Sequence, residues 1–226
     1  TATDNYDGDI TSSIVTVSAV DETTVGTYTV TYNVTDTNGN AAVEVIRIVN
    51  VQDTIAPVII LNGEATVTIE VGSDYTDAGA TATDNYDTDP TSSIVTVSTV
   101  DVNTVGTYTV TYNLTDYTGN VAGAVTRTVN VVDTTVPVIT LLGDAIVNVE
   151  VGSDYTDAGA TATDNYDGDI ASSWFAVGAV DETTVGTYTM TYNVTDTNGN
   201  AAVEVTRTVN VVDTTLPVIT LTGEAT

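Results

Sequence analysis

The 226-residue sequence contains no cysteine, no histidine and no lysine, and its only basic side chains are three arginines. Without cysteine there are no disulfide staples, so the folded units must hold by core packing, with bound metal as a supplement. Without histidine, cysteine or lysine, the usual general bases, thiolate nucleophiles, Schiff-base lysines and zinc ligands are missing. Against the three arginines stand 31 acidic residues, a formal charge of −28. That balance excludes a nucleic-acid partner, which needs a basic footprint to displace counterions, and argues against docking on an anionic membrane. No apolar run approaches the roughly 20 residues of a membrane-spanning helix, so no direct membrane insertion is expected. Disorder is the next candidate for so acidic a chain, but 42% of the residues are hydrophobic and they alternate regularly.

What is present is repetition. Pro57, Pro137 and Pro217 align at a period of 80 residues, as do Asp53, Asp133 and Asp213, Asp4, Asp84 and Asp164, and Arg47, Arg127 and Arg207. The expected organisation is a C-terminal part of one domain at 1–56, whole domains at 57–136 and 137–216, and the first strand of a further domain at 217–226. Thr1 falls in the middle of a repeat, so a window on a longer chain is expected. Near-identical tandem copies suit stalks and fibres better than enzymes.

Within a copy, Tyr188-Thr-Met190-Thr-Tyr192-Asn-Val194 alternates apolar and polar residues, the period-2 pattern of a strand with one buried face. Val203, Val205, Val209 and Val211 predict a second strand, with Arg207 interrupting the apolar face. Val147, Val149 and Val151 predict a third, and Val138–Leu141, Ala160–Thr163 and Ser173–Val180 three more. No stretch has a helical period, and Gly, Asn and Asp fill the turns. The fold class expected is all-β, a β-sandwich in each 80-residue repeat.

The segment Asp164-Asn-Tyr-Asp167-Gly-Asp169 recurs in each copy, as Asp4, Asp7 and Asp9 and as Asp84, Asp87 and Asp89. Three carboxylates and a carboxamide so close together suit a hard cation such as Ca²⁺, which takes about six to eight oxygen ligands. Equally, Asp-Gly and Asn-Gly form Asx-turns in which the side chains cap their own backbone. In the second copy Thr88 replaces the loop glycine and Pro90 the isoleucine. Paired carboxylates also hydrolyse glycosides, but these recur in polar loops where nothing separates their pKa values, so no enzyme is expected.

Thr183-Thr-Val-Gly186-Thr-Tyr188, leading into a Tyr-rich strand, looks like the tyrosine corner of immunoglobulin-like domains. With Pro137-Val-Ile-Thr-Leu141, Gly152-Ser-Asp-Tyr-Thr-Asp-Ala-Gly159, Ala162–Ile170 and Tyr192–Asn200, the whole copy resembles the Ig-like repeats of bacterial surface proteins, with hyalin-type repeats as relatives. The resemblance implies tandem Ig-like sandwiches of a cell-surface or secreted bacterial protein. It also implies that strand A, the B–C loop and the F–G loop share one end of each domain. Asp133, Asp164, Asp167, Asp169 and Asp196 should then converge at a domain junction, as should Asp53, Asp84, Asp87, Asp89 and Asp116; Asp4, Asp7, Asp9 and Asp36 remain in the first copy. Structural Ca²⁺ is the cofactor expected there.

Arg207, the one cation of its repeat, is expected to pair with a carboxylate or stack on a tyrosine. Trp174-Phe175 replaces an Ile-Val pair and suits either core packing or a glycan platform. Asn33, Asn113 and Asn193 stand in Asn-x-Thr sequons on a polar strand face. The expected partners are neighbouring repeats of the same chain, other copies in a fibre or bundle, and glycans. The function expected is a stalk, adhesin extender or surface fibre, with a glycan- or partner-binding adhesive module as the alternative.

Overall fold

The computed structural model of the protein describes residues 1–223. The fold is all-β. The strands of the first copy are β1 (Thr3–Asp4), β2 (Gly8–Asp9), β3 (Val15–Ser18), β4 (Gly26–Asn33) and β5 (Val45–Val51). Those of the second are β6 (Val58–Leu61), β7 (Thr66–Glu70), β8 (Ala80–Thr83), β9 (Val95–Ser98), β10 (Gly106–Asn113) and β11 (Val125–Val132). The third copy has β12 (Val138–Leu141), β13 (Ile146–Glu150), β14 (Ala160–Asp164), β15 (Gly168–Asp169), β16 (Phe175–Val177), β17 (Gly186–Asn193) and β18 (Val205–Val212). Three single 3₁₀ turns, Thr11–Ser13, Pro90–Ser93 and Ala171–Ser173, are the helical segments among the described residues. No helix among them is long and apolar enough to cross a membrane.

The chain divides into two compact units, one of residues 1–65, 78–98 and 110–127, the other of 66–77, 99–109 and 128–226. The third copy lies wholly within the second unit and shows the sandwich complete. One sheet has the order β13-β18-β17-β16 and the other β12-β14-β15. β13 runs parallel to β18, Ile146 opposite Thr208 through Glu150 opposite Val212, whereas β17 and β18 form an antiparallel hairpin. Period-2 alternation gives each strand one buried face: Arg207, Val209 and Val211 point inward from β18. Between the sheets, Ile139, Ala160, Ala162, Ile170, Tyr192 and Val194 are buried together, with Leu141, Trp174, Met190 and Val205 packed against them. Trp174 stands edge-on to Tyr192 at 5.5 Å, so the Ile-to-Trp replacement is a core variation. Phe175 beside it is 56% exposed.

Two local features follow from single residues. The Tyr188 hydroxyl donates to Thr184 O at 2.9 Å over Gly186, and Tyr28 and Tyr108 repeat the bond to Thr24 and Thr104; this is the tyrosine corner. The strand expected over Ser173–Val180 is only Phe175–Val177. Ala171–Ser173 is drawn into the 3₁₀ turn, and Gly178, at φ +123°, turns the chain where a Cβ would lie 2.3 Å from Thr189 O. Val203, expected in the last strand, is 78% exposed and precedes it.

Arg207 is 1% exposed. Its guanidinium pairs with Asp157, donates to the Leu142, Asp144 and Gly159 carbonyls, and lies 5.6 Å from the Tyr192 ring centroid. Asp157 also accepts from the Tyr192 hydroxyl at 2.6 Å and the Tyr155 hydroxyl at 3.0 Å. Burial pushes the Asp157 carboxyl up, but the two hydroxyls and the arginine outweigh it and hold the group below its ordinary range. For Tyr192, burial and then the neighbouring carboxylate push the phenol up.

In the first unit, β3-β4-β5 forms one sheet, β1 pairs with β2, and β6 with β8. On β5 the inward positions Arg47 and Val49 are exposed and half-buried, where Arg207 and Val209 are buried in the third copy, because the first copy has no counterparts of β6 and β7 in this sequence to cover them. At the other end, the strand expected over 217–226 is absent through residue 223, and residues 224–226 lie outside the described set. Leu216, Val218, Ile219 and Leu221 there are all more than 80% exposed. A strand needs a hydrogen-bonding neighbour, and the partner that β14 supplies to β12 has no equivalent for this segment.

Candidate metal centre

Three elements bring three carboxylates together in the third copy. Asp133 follows directly on β11, Asp164 ends β14, and Asp196 opens the turn after β17. One oxygen of each lies within 4.8 Å of one oxygen of the others, and Asp133 and Asp196 are 6% and 8% exposed. Asp164 Oδ1 accepts the Tyr166 and Asp167 amides at 2.9 and 3.1 Å, tightening the loop as an Asx-turn. Its Oδ2 is shut off from solvent and accepts no hydrogen bond. Asp196 Oδ1 accepts the Asn198 and Asn200 amides. The Asn200 carboxamide spans the site, donating to Asp196 Oδ2 at 2.8 Å and to Asp133 O at 3.1 Å, and Asn198 Nδ2 donates to Asp133 Oδ2 at 2.9 Å.

The electrostatics are lopsided. Burial pushes the Asp133 carboxyl up, the Asn198 and Thr135 donors oppose it, and the Asp164 and Asp196 charges add to the rise. Burial also pushes Asp196 up most strongly, yet the Asn200, Asn198 and Gly199 donors prevail and hold it low. Two carboxylate charges at this spacing repel by about 3 kcal/mol at an effective dielectric of about 20.

The second copy repeats the arrangement with Asp53, Asp84 and Asp116. Asp84 Oδ1 accepts the Tyr86 and Asp87 amides, and its Oδ2 is again buried and unpartnered. Asn120 Nδ2 donates to Asp116 Oδ2 at 2.8 Å and to Asp53 Oδ2 at 3.3 Å, and Thr118 Oγ1 takes the place of the Asn198 amide against Asp53. The altered loop therefore leaves the trio intact. Pro90 opens the 3₁₀ turn, but without an N–H it cannot make the bond that Ile10 and Ile170 donate to the Ala2 and Ala162 carbonyls, and the short pairing that Gly168, at φ +71°, permits between β14 and β15 is lost with it. In the first copy Asp4, Asp7 and Asp36 make the trio, and Asp7 also accepts the Thr37 amide and hydroxyl as Asp167 accepts those of Thr197.

The remaining expected ligands face other ways. Asp167 accepts the Thr197 amide and hydroxyl at 2.8 and 2.6 Å, and Asp87 accepts the Tyr117 amide at 2.8 Å, so both tie the B–C loop to the F–G turn. Asp9 and Asp169 accept the amides of Thr11 and Ala171 at the head of a 3₁₀ turn. Asp89 precedes Pro90 and the corresponding turn, outside the trio. Sequence reasoning passed over Asn120 and Asn200, although an asparagine recurs at that place in every copy as Asn40, Asn120 and Asn200.

The linker is held from its other side as well. Glu70, the last residue of β7, accepts the Thr134 amide at 3.0 and 3.1 Å, the Thr134 hydroxyl at 2.7 Å, the Thr135 amide at 3.2 Å and the Thr135 hydroxyl at 2.7 Å. Glu150 grips Thr214 and Thr215 in the same way, with contacts of 2.6 to 3.1 Å. These donors bring both glutamate pKa values down to about 2: Thr134 amide first for Glu70, the Thr214 hydroxyl first for Glu150.

Comparison with known proteins agrees with this architecture. The chain is 34% identical over 214 residues to an 81.3 kDa protein of Acholeplasma phage L2 and 32% identical over 228 residues to hyalin of Strongylocentrotus purpuratus. It covers 88% and 92% of its own length in these matches but spans only 28% and 18% of the two relatives. A solved lipoprotein of Bacteroides thetaiotaomicron is 32% identical over 36% of this chain and 40% of that one, at a TM-score of 0.32. Residues 1–51, 59–131 and 139–211 each match one family, and with them the chain belongs to the bacterial surface protein Ig-like domain family.

Proposed function

We propose that the chain is a structural segment of an extracellular surface protein, a stalk, adhesin extender or fibre, in which Ca²⁺ at each linker stiffens the junction between successive copies. The observation that carries this reading is the gathering of a linker carboxylate, Asp133, with Asp164 and Asp196, one oxygen of Asp164 being buried and accepting nothing. Oxygen-only ligands without nitrogen or sulfur suit a hard cation, and irregular loops suit Ca²⁺ better than Mg²⁺, which demands a near-ideal octahedron. In this reading the residues holding the ion are Asp53, Asp84 and Asp116 at one linker, Asp133, Asp164 and Asp196 at the next, and Asp4, Asp7 and Asp36 in the first copy. Affinity in the range common to extracellular modules is about 10⁻⁴–10⁻³ M. At a hundredfold excess of ion, each site would add about 2.7 kcal/mol to the folded, linked state.

The role is non-catalytic, and its partners are neighbouring copies in the same chain or in a bundle. Glycan recognition would have to use the exposed Phe175, since the Trp174 ring is engaged with Tyr192. Calorimetric titration of chelator-treated protein with CaCl₂ should show binding in that range, a raised melting temperature, and a narrower distribution of end-to-end distances. Asp164→Ala should delete one site, whereas Asp167→Ala should leave the number unchanged. Titration without heat and with unmoved melting would overturn the calcium reading.

A further inference from the structure

Asp133 reaches its trio from a linker with no regular structure of its own, so something must fix where it stands. Five hydrogen bonds from the next two residues, Thr134 and Thr135, end on one carboxylate, that of Glu70. Glu70 closes β7, and β7 is itself fixed by parallel pairing to β11, Glu70 lying opposite Val132. The strand that delivers the chain to Asp133 and the strand that grips the chain just after it are thus neighbours in one sheet. Asp133 is left no freedom on either side: Val132 is in the ladder before it and Thr134 is clasped after it.

We propose that Glu70 is a positioning residue for the cation site at Asp133: it belongs to the copy before the site, touches none of the three carboxylates, and sets the place of the one that the linker supplies. The inference rests on the calcium reading above. Partners that orient a metal-bound ligand without touching the metal change affinity by about 10- to 100-fold when removed. Glutamine is close to glutamate in shape, but its amide nitrogen turns N–H groups toward the four converging donor groups of Thr134 and Thr135, so Glu70→Gln opens the clasp with little change in volume.

Glu150 supplies the control. It makes the same clasp with Thr214 and Thr215, but Asp213 before them belongs to no trio among the described residues. The experiment is Ca²⁺ titration calorimetry of the full chain, well below its melting transition, in a background where Asp4→Ala and Asp84→Ala silence the other two clusters. Glu70→Gln should weaken the remaining site about tenfold, Glu150→Gln should leave it unchanged, and both should lower the melting temperature in EGTA by similar amounts. Equal affinity in the background protein and its Glu70→Gln form, or equal weakening by both substitutions, would overturn the positioning role while leaving calcium binding in place. No binding by the chain with all its clusters intact would overturn both.

Discussion

Asp157→Ala tests how the core of the third copy is held. The carboxylate is the common acceptor for the Arg207 guanidinium and for the Tyr155 and Tyr192 hydroxyls, and Arg207 is 1% exposed. Removing it leaves a buried charge with carbonyl acceptors only, which costs about 3–5 kcal/mol when one partner of a buried pair is lost. Each hydroxyl stripped of its acceptor carries a further penalty of about 1–3 kcal/mol where no water reaches it. The terms share one site and do not add, so a loss of about 4 kcal/mol is expected, most of the stability of a domain near the lower end of the usual range of about 5–15 kcal/mol. For a domain of this size, about 4–8 °C of melting temperature go with each kcal/mol. Differential scanning calorimetry of the full chain should therefore show part of the endotherm moving down by about 15 °C or more, while the second copy, whose own arginine and tyrosine are untouched, melts as before. Asp157→Asn, which retains an acceptor, should move it far less. A shift below about 5 °C for the alanine variant would refute the reasoning, because Arg207 would then be satisfied by carbonyls alone.

Two further outcomes follow from local geometry. Glu70 and Glu150 have pKa values of about 2 in the folded chain against the usual 4.5, so their clasps contribute in full above about pH 4.5 and are lost as pH falls toward 2. The melting difference between the parent chain and Glu150→Gln should accordingly shrink over that interval; a difference constant down to pH 2 would deny the link. Gly178→Ala should cost about 1–3 kcal/mol by denaturant midpoint, since its Cβ has no room beside Thr189 O and its φ of +123° strains any side chain; a neutral effect would refute the close approach.

Strands, turns and the tyrosine corner were legible because they rest on local alternation and on residues a few positions apart, such as Thr184 and Tyr188. The linker carboxylates Asp53 and Asp133 were legible through the Ig-like topology, which places strand A beside the two loops. The choice among loop carboxylates was not. Asp164, Asp167 and Asp169 are chemically alike in sequence, and only the folded loop shows that Asp167 serves Thr197 and Asp169 serves Ala171. The carboxylate partner of Arg207 stands 50 residues away and the threonine partners of Glu70 stand 64 and 65 away. Charge alone says that Arg207 needs a carboxylate; in a chain with 31 of them, it does not say which.

The parallel pairing of β13 with β18 has a mechanical consequence. Tension on a copy enters at the start of β12 and, once β12 is stripped from β14, pulls the start of β13 and the end of β18 in opposite directions along the same line. Because these strands run the same way, the five residue pairs from Ile146–Thr208 to Glu150–Val212 are loaded in shear and must rupture together. An antiparallel pair tugged from one end opens like a zipper, one bond at a time. The order of strands thus sets the backbone of a complete copy against stretching, whatever side chains the repeat goes on to exchange.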